Sequence, residues 1–337
     1  MPFRSDASTG ISLVMVAAAL WATVGVAVQV TPEATAIPDT ILAATRTGIA
    51  GPILVALWAI TGKDRLVNLR ALAPQPLVIF ALASAVFQIC LFRCFAQLGV
   101  TVAVFLTVCL PPVLAWAWSA LTGVGGLSRR SSLALALAIA GMALVSFTHR
   151  EADSASISLA GLLNGLIAAI AFVAMSIAAA EMSRRSRPIL VAGAGLTLSA
   201  VLLIMMALIS GEGRLASHLA DVSAFRLGLL VAYLGLLPTA LAYLCYCSGM
   251  AKCRTPVVGL VASMIEPLLA ALLAALFLGE RISPSTAGGC ALLMGAMVLL
   301  WQSERTPPAL PQPGCGRPKV HPGLRGSASF WGAARTE

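Results

Sequence analysis

The chain has 337 residues, 59% of them hydrophobic and only 10% charged, with a formal net charge of +9. Soluble domains run about 45–50% apolar and roughly 25% charged, so a soluble fold is excluded: a chain of this length could not hide so much apolar surface. The positive excess needs no nucleic-acid partner, because basic loops that anchor membrane helices account for most of it.

Ten continuous apolar stretches follow one another, at 11–30, 39–60, 77–98, 101–121, 131–147, 159–181, 188–210, 226–248, 256–278 and 286–302. Each is long enough to cross a hydrocarbon core of roughly 30 Å as a helix. The runs do not alternate with polar residues, which rules out the strands of an outer-membrane barrel. Residues 1–10 form a short cytoplasmic N-terminus that does not read as a removable signal, so the first span is expected to stay in the protein. Residues 148–158 form an external linker. From residue 303 to 337 the chain turns to Pro, Gly, Ser and Arg, as in Thr306-Pro307-Pro308, and is expected to be a disordered cytoplasmic tail.

The second run of five spans echoes the first. Leu110-Pro111-Pro112 and the residues after them fall on Ile265-Glu266-Pro267 at a shift of 155, and Gly10 to Trp21 falls on Gly161 to Phe172. Because five is odd, the second unit must enter the membrane from the opposite side. The sequence therefore predicts an all-α integral membrane protein of ten transmembrane helices, built as two inverted five-helix repeats over 11–147 and 159–302. With the N-terminus inside, Lys63, Arg65, Arg70, Arg129, Arg130, Arg184, Arg185, Arg187, Lys252 and Arg254 are cytoplasmic, against Arg150, Arg214, Arg226 and Arg281 outside. That bias places both termini in the cytoplasm, as expected of an inner (plasma) membrane protein.

Few polar groups lie deep in the spans, which makes each informative. Glu266 sits about ten residues into the ninth span, where a charge costs about 2.5–3.5 kcal/mol even on lenient insertion scales. It reads as a proton- or cation-coupling carboxylate, or as a protonated side chain bonded to a neighbouring backbone. Arg46 lies about seven residues into the second span; it could anchor a substrate carboxylate or phosphate, or pair with an interior acceptor. Ser263 is one turn before Glu266 and shares its face. Pro111, Pro112 and Pro267 fall near mid-span and are matched by the repeat. Each removes a helix hydrogen bond, giving a kink, a cavity wall or both. Trp21, Gln88, Asn164 and Tyr243 are further cavity-lining candidates, whereas Trp58 and Trp301 suit an interfacial belt.

Ile265-Glu266-Pro267, then Leu278-Gly279-Glu280-Arg281-Ile282-Ser283, Gly288-Gly289 and Gly295, resemble the closing signature of EamA domains in the drug/metabolite transporter superfamily. Ala19-Leu20-Trp21-Ala22 and Arg46 resemble residues usual at those places in that family. The resemblance covers residues 10–302 in two copies, and the second copy is closer: Gly125 and Pro111 stand where it has Glu280 and Glu266. It implies ten helices and export or uptake of amino acids, related amphiphiles or drugs.

The function expected is secondary active transport of a small organic metabolite by alternating access, as proton-coupled export. Arg46 and Glu266 would then contact opposite charges of the solute. The alternatives are an integral-membrane enzyme acting on a lipid or isoprenoid, or a receptor that transports nothing. Enzyme chemistry would need clustered carboxylates or a His, Ser and Cys set; His149, His218 and His321 all lie in loops or the tail. No metal or cofactor is expected: the eight cysteines show no zinc spacing, Cys245 and Cys247 being one residue apart. The chain carries no G-x4-G-K-[ST] motif that would energise a primary pump. The expected partners are a small-molecule solute, the bilayer and protons, with the oligomeric state left open.

Overall fold

The fold is given by a computed structural model, which describes residues 3–31, 37–61, 65–122, 129–148, 158–211, 224–253, 255–278 and 284–305. Gly125, Glu280, Arg281 and the tail from Thr306 lie outside the described residues. Every element described is helical. They are α1 (Phe3–Gln29), α2 (Asp39–Thr61), α3 (Arg65–Ala71), α4 (Pro74–Val104), α5 (Leu110–Thr122), α6 (Arg129–Thr148) and α7 (Leu159–Arg185). Then come α8 (Pro188–Ile209), α9 (Ala224–Gly235), α10 (Ala242–Lys252), α11 (Pro256–Ser263), α12 (Glu266–Leu278) and α13 (Pro284–Arg305). Wider π-helical turns occupy Phe105–Cys109 and Leu236–Leu241.

Seven helices among the described residues are long and apolar enough to cross a membrane, and Leu106–Ala115, Ser132–Gly141 and Ala287–Ala296 are shorter apolar segments. This is a multi-pass membrane protein. Its helix ends follow local chemistry. Ser158 caps α7 by accepting from the Gly161 N–H at 3.3 Å, and Thr255 caps α11 through the Val258 N–H at 3.4 Å. Pro188 and Pro256 occupy first-turn positions, where the missing N–H has no intrahelical partner to lose.

The structure departs from the predicted spans at several points. Helix α1 begins at Phe3 rather than near residue 11, so most of the segment expected to precede the span is helical. Helix α3 was not foreseen. The predicted span 256–278 is broken: α11 ends at Ser263, Met264 and Ile265 form a turn, and α12 starts at Glu266. The cause is Pro267, which cannot donate to the carbonyl one turn earlier. In the eighth span, Pro238 leaves the Leu234 carbonyl without its helical donor, and the Thr239 hydroxyl donates to that carbonyl at 2.6 Å. The backbone there widens into a π-turn, with the Ala242 N–H reaching back to Leu237.

The helices pack most extensively as α4 on α7, α2 on α8, α6 on α13 and α1 on α10. Glycines set the closest approaches. At the crossing of α2 and α8, a Cβ on Gly51 would lie 2.4 Å from the Thr197 nitrogen, and one on Gly193 would lie 2.9 Å from that of Val55. The same crossing explains Trp58, which is buried rather than placed at an interface: it lies seven residues after Gly51 and so shares the face turned to α8. A Cβ on Gly165 of α7 would meet both the Cys94 and the Leu106 side chains. A straight helix would set those two about 18 Å apart, so the chain bends back between them and places the third and fourth apolar segments against the same face of α7.

Candidate functional site

The polar groups expected from the sequence come from helices far apart in the chain. Arg46 is on α2 and is buried; its Nε donates to Gln88 Oε1 on α4 at 3.0 Å. That bond orients the guanidinium and leaves its two terminal nitrogens as donors. Gln88, itself fully buried, turns its amide towards Ser84, donating to the Ser84 carbonyl at 3.4 Å. The Ser199 hydroxyl on α8 donates to Ser84 Oγ at 3.3 Å. Ser84 also faces the Tyr243 phenol on α10. Four helices thus share one chain of polar contacts, which satisfies groups that would otherwise be costly in a low dielectric.

Glu266 opens α12, where the first backbone N–H groups have no helical acceptors and the helix dipole favours negative charge. Arg46 and Tyr243 lie within electrostatic reach of its carboxylate. Among the described residues the carboxylate makes no ion pair or hydrogen bond. Its side chain is half-buried. Arg46 and Glu266 therefore lie within electrostatic reach of each other without a direct contact.

An aromatic group adjoins these residues. Trp21 on α1 meets Tyr243 with ring centroids 5.4 Å apart, Tyr246 at 5.2 Å and Phe172 at 6.2 Å. Phe80 packs edge-on to Tyr243 at 6.4 Å, and Phe87 lies 5.1 Å from Phe172. Tyr246 shares a 2.5 Å hydrogen bond with Ser176 on α7. Trp21 keeps part of its surface accessible, whereas Tyr246 is fully buried. Such a wall supplies large apolar faces with polar edges.

Some candidates lie elsewhere. The Ser263 hydroxyl bonds the Leu260 carbonyl at 2.7 Å, and the turn at Met264–Ile265 separates it from the helix that carries Glu266. Asn164 donates to Gln97 on α4 at 3.0 Å and to the Ala160 carbonyl, linking α7 to α4. Pro111 and Pro112 are buried in the first turn of α5, directly after the π-turn, and Pro267 is buried in the first turn of α12. The sequence reading missed Phe80, Phe87, Phe172, Tyr246, Ser84, Ser176 and Ser199. One signal could have found Tyr246: the chain has only three tyrosines, and all three (Tyr233, Tyr243 and Tyr246) fall on the eighth span.

Metal ligation is not carried by the described residues: no group of three His, Cys, Asp or Glu side chains converges there. Chemically, the Arg46 guanidinium offers donors suited to a carboxylate, Glu266 an acceptor suited to an ammonium, and the rings an apolar face.

Comparison with known proteins places the chain. The profile of the EamA-like transporter family matches residues 8–147 and again 159–302. An uncharacterized transporter of Bacillus subtilis (strain 168), YwfM, is 26% identical over 304 residues, covering 87% of this chain and 93% of that protein. A protein known from a crystal structure superposes with a TM-score of 0.69 at 20% identity, over 87% of this chain and 97% of the other, a likeness of fold.

Proposed function

Since the chain belongs to the EamA-like transporter family, we propose that it is a secondary active transporter exporting a small zwitterionic or carboxylate-bearing metabolite, such as an amino acid, in exchange for protons. The observation that carries the reading is the pair of opposite charges, Arg46 and Glu266, brought from different helices within electrostatic reach but left out of contact. A solute with both charges completes two ion pairs there at once, and proton binding at Glu266 competes with the solute ammonium. That competition is exchange.

In this reading the seven long helices and three shorter apolar segments make up ten passes, and both termini lie on the cytoplasmic side of the inner membrane. The family profile matches twice, and the packing pairs support an inverted repeat. Exchanging the two halves carries the α1 and α10 pair onto the α7 and α4 pair, and returns α2 with α8 and α6 with α13 to themselves. In this reading, alternating access is the rocking of one half against the other about the Gly51 and Gly193 crossing. Trp21, Gln88 and Tyr243 line the solute path. Pro111 and Pro112 beside the π-turn, and Pro267 at the break before α12, shape the walls beside it.

The test is flux of a labelled amino-acid panel into proteoliposomes under an imposed pH gradient, for the wild type and Glu266→Gln. Gradient-driven flux in the wild type, lost in the variant, is expected. Full flux in the variant with unchanged pH dependence would remove Glu266 from coupling, and no flux of any solute in well-folded wild type would remove transport itself.

A further inference from the structure

Helices α1 and α9 touch sparingly. Between them lies a cleft of about 510 Å³ lined by Ala27, Val30, Thr31, Leu229, Leu230 and Tyr233, with Arg226 at its edge. Beneath it, Leu42, Leu230 and Leu234 form a small apolar cluster against which Val24, Val28 and Tyr233 pack. One polar contact crosses at this level: Tyr233 Oη donates to Thr23 Oγ1 at 2.7 Å. The Thr23 hydroxyl spends its own proton on the Leu20 carbonyl, at 2.7 Å, and so is held as an acceptor. Leu42 of that cluster lies one turn before Arg46 on α2 and shares its face. The cluster and the bond therefore stand on the cleft side of Arg46.

The repeat gives this contact no counterpart. Shifted by 151 and 155, Thr23 and Tyr233 fall on Ala174 and Val78, which have no side-chain donor or acceptor. The residues matching two of the cleft-lining positions, Ala178 for Ala27 and Met182 for Thr31, are buried rather than open.

We propose that the Tyr233–Thr23 hydrogen bond is the latch of a gate between α1 and α9: formed, it shuts the Arg46 and Glu266 site off from the cleft, and broken, it joins the two. Both side chains are positioning residues for transport. The proposal rests on the transporter reading, but it concerns a conformational equilibrium that can be measured without solute or gradient.

The experiment is a spin-label distance measurement between Val30 and Leu229, both exposed on either side of the cleft, in full-length protein with its native cysteines replaced. Tyr233→Phe and Thr23→Val are each expected to raise the ratio of wide to narrow separations about fivefold, the factor that one hydrogen bond of about 1 kcal/mol is worth. The double variant should add nothing further, and Thr23→Ser, which keeps the hydroxyl, should match the unsubstituted background. Hydrogen exchange at the C-terminal end of α1, in protein that keeps its cysteines, gives a second reading and should quicken in Tyr233→Phe. Superimposable distributions and exchange in Tyr233→Phe and the unsubstituted protein would overturn the latch, as would a response to one partner's loss but not the other's. A transport assay that fails with the latch intact would instead count against the transporter reading.

Discussion

The fourth and ninth spans, matched by the sequence repeat, meet their mid-span prolines differently. In the first half, Pro111 and Pro112 follow a π-turn at Phe105–Cys109, and α5 begins with no charge. In the second half the chain stops at Ser263, turns through Met264–Ile265 and restarts at Glu266–Pro267. Proline stands at the irregularity in both, a widened turn in the first half and a break in the second. Only the second half places a carboxylate on the freed helix N-terminus, while the cation that faces it, Arg46, comes from the first. The family profile matches both copies, and in the proposed mechanism the chemistry is divided between them, so neither half alone holds both charges.

That comparison can be broken most forcefully at Glu266. Glu266→Gln keeps the shape and removes the charge. Solute flux in proteoliposomes should fall at least about tenfold, the factor for one charged contact of 1.4 kcal/mol or more, and the remaining flux should lose its pH dependence. Pro111→Glu, which gives the first half the second half's carboxylate, should fail to create a second coupling site. It should also lower stability by about 2.5–3.5 kcal/mol for a charge set in mid-membrane, read as a fall in thermal midpoint in detergent.

Smaller substitutions sharpen the comparison. Gly51→Ala would press a methyl into the Thr197 backbone at the crossing of α2 and α8 and should cost about 1–3 kcal/mol in overpacking. Its thermal midpoint should fall further than that of Gly25→Ala, whose Cβ would meet nothing within 4 Å. Thr239→Val leaves the Leu234 carbonyl unpaired beside Pro238, at a cost of about 1 kcal/mol, visible as faster hydrogen exchange in α10. The smallest effect is expected at Asn164→Ala, which removes the link to Gln97 and should cost about 0.6 kcal/mol, as interhelical hydrogen bonds in membranes do.

The membrane class and the helical segments were legible because they depend on composition and length alone. Glu266 and Arg46 stood out because a charge inside an apolar run has few explanations. Their surroundings were not legible. The bond from Arg46 to Gln88 joins residues 42 apart in sequence, and Ser199 reaches Ser84 across 115; only packing brings them together. Phe172 and Phe80 looked like ordinary apolar residues until Trp21 and Tyr243 were placed beside them. Pro267 announced a kink in the ninth span but not a full two-residue turn before Glu266, and that turn undid the expectation that Ser263 shares one helical face with Glu266.

The division of charge between the halves is tested most directly by following protons. In weakly buffered proteoliposomes carrying a pH-sensitive dye, adding a transported solute to one side should move protons in the opposite direction in the wild type. Glu266→Gln should still bind solute, by isothermal titration, while moving no protons. Equal proton movement in the variant and the wild type would contradict the account.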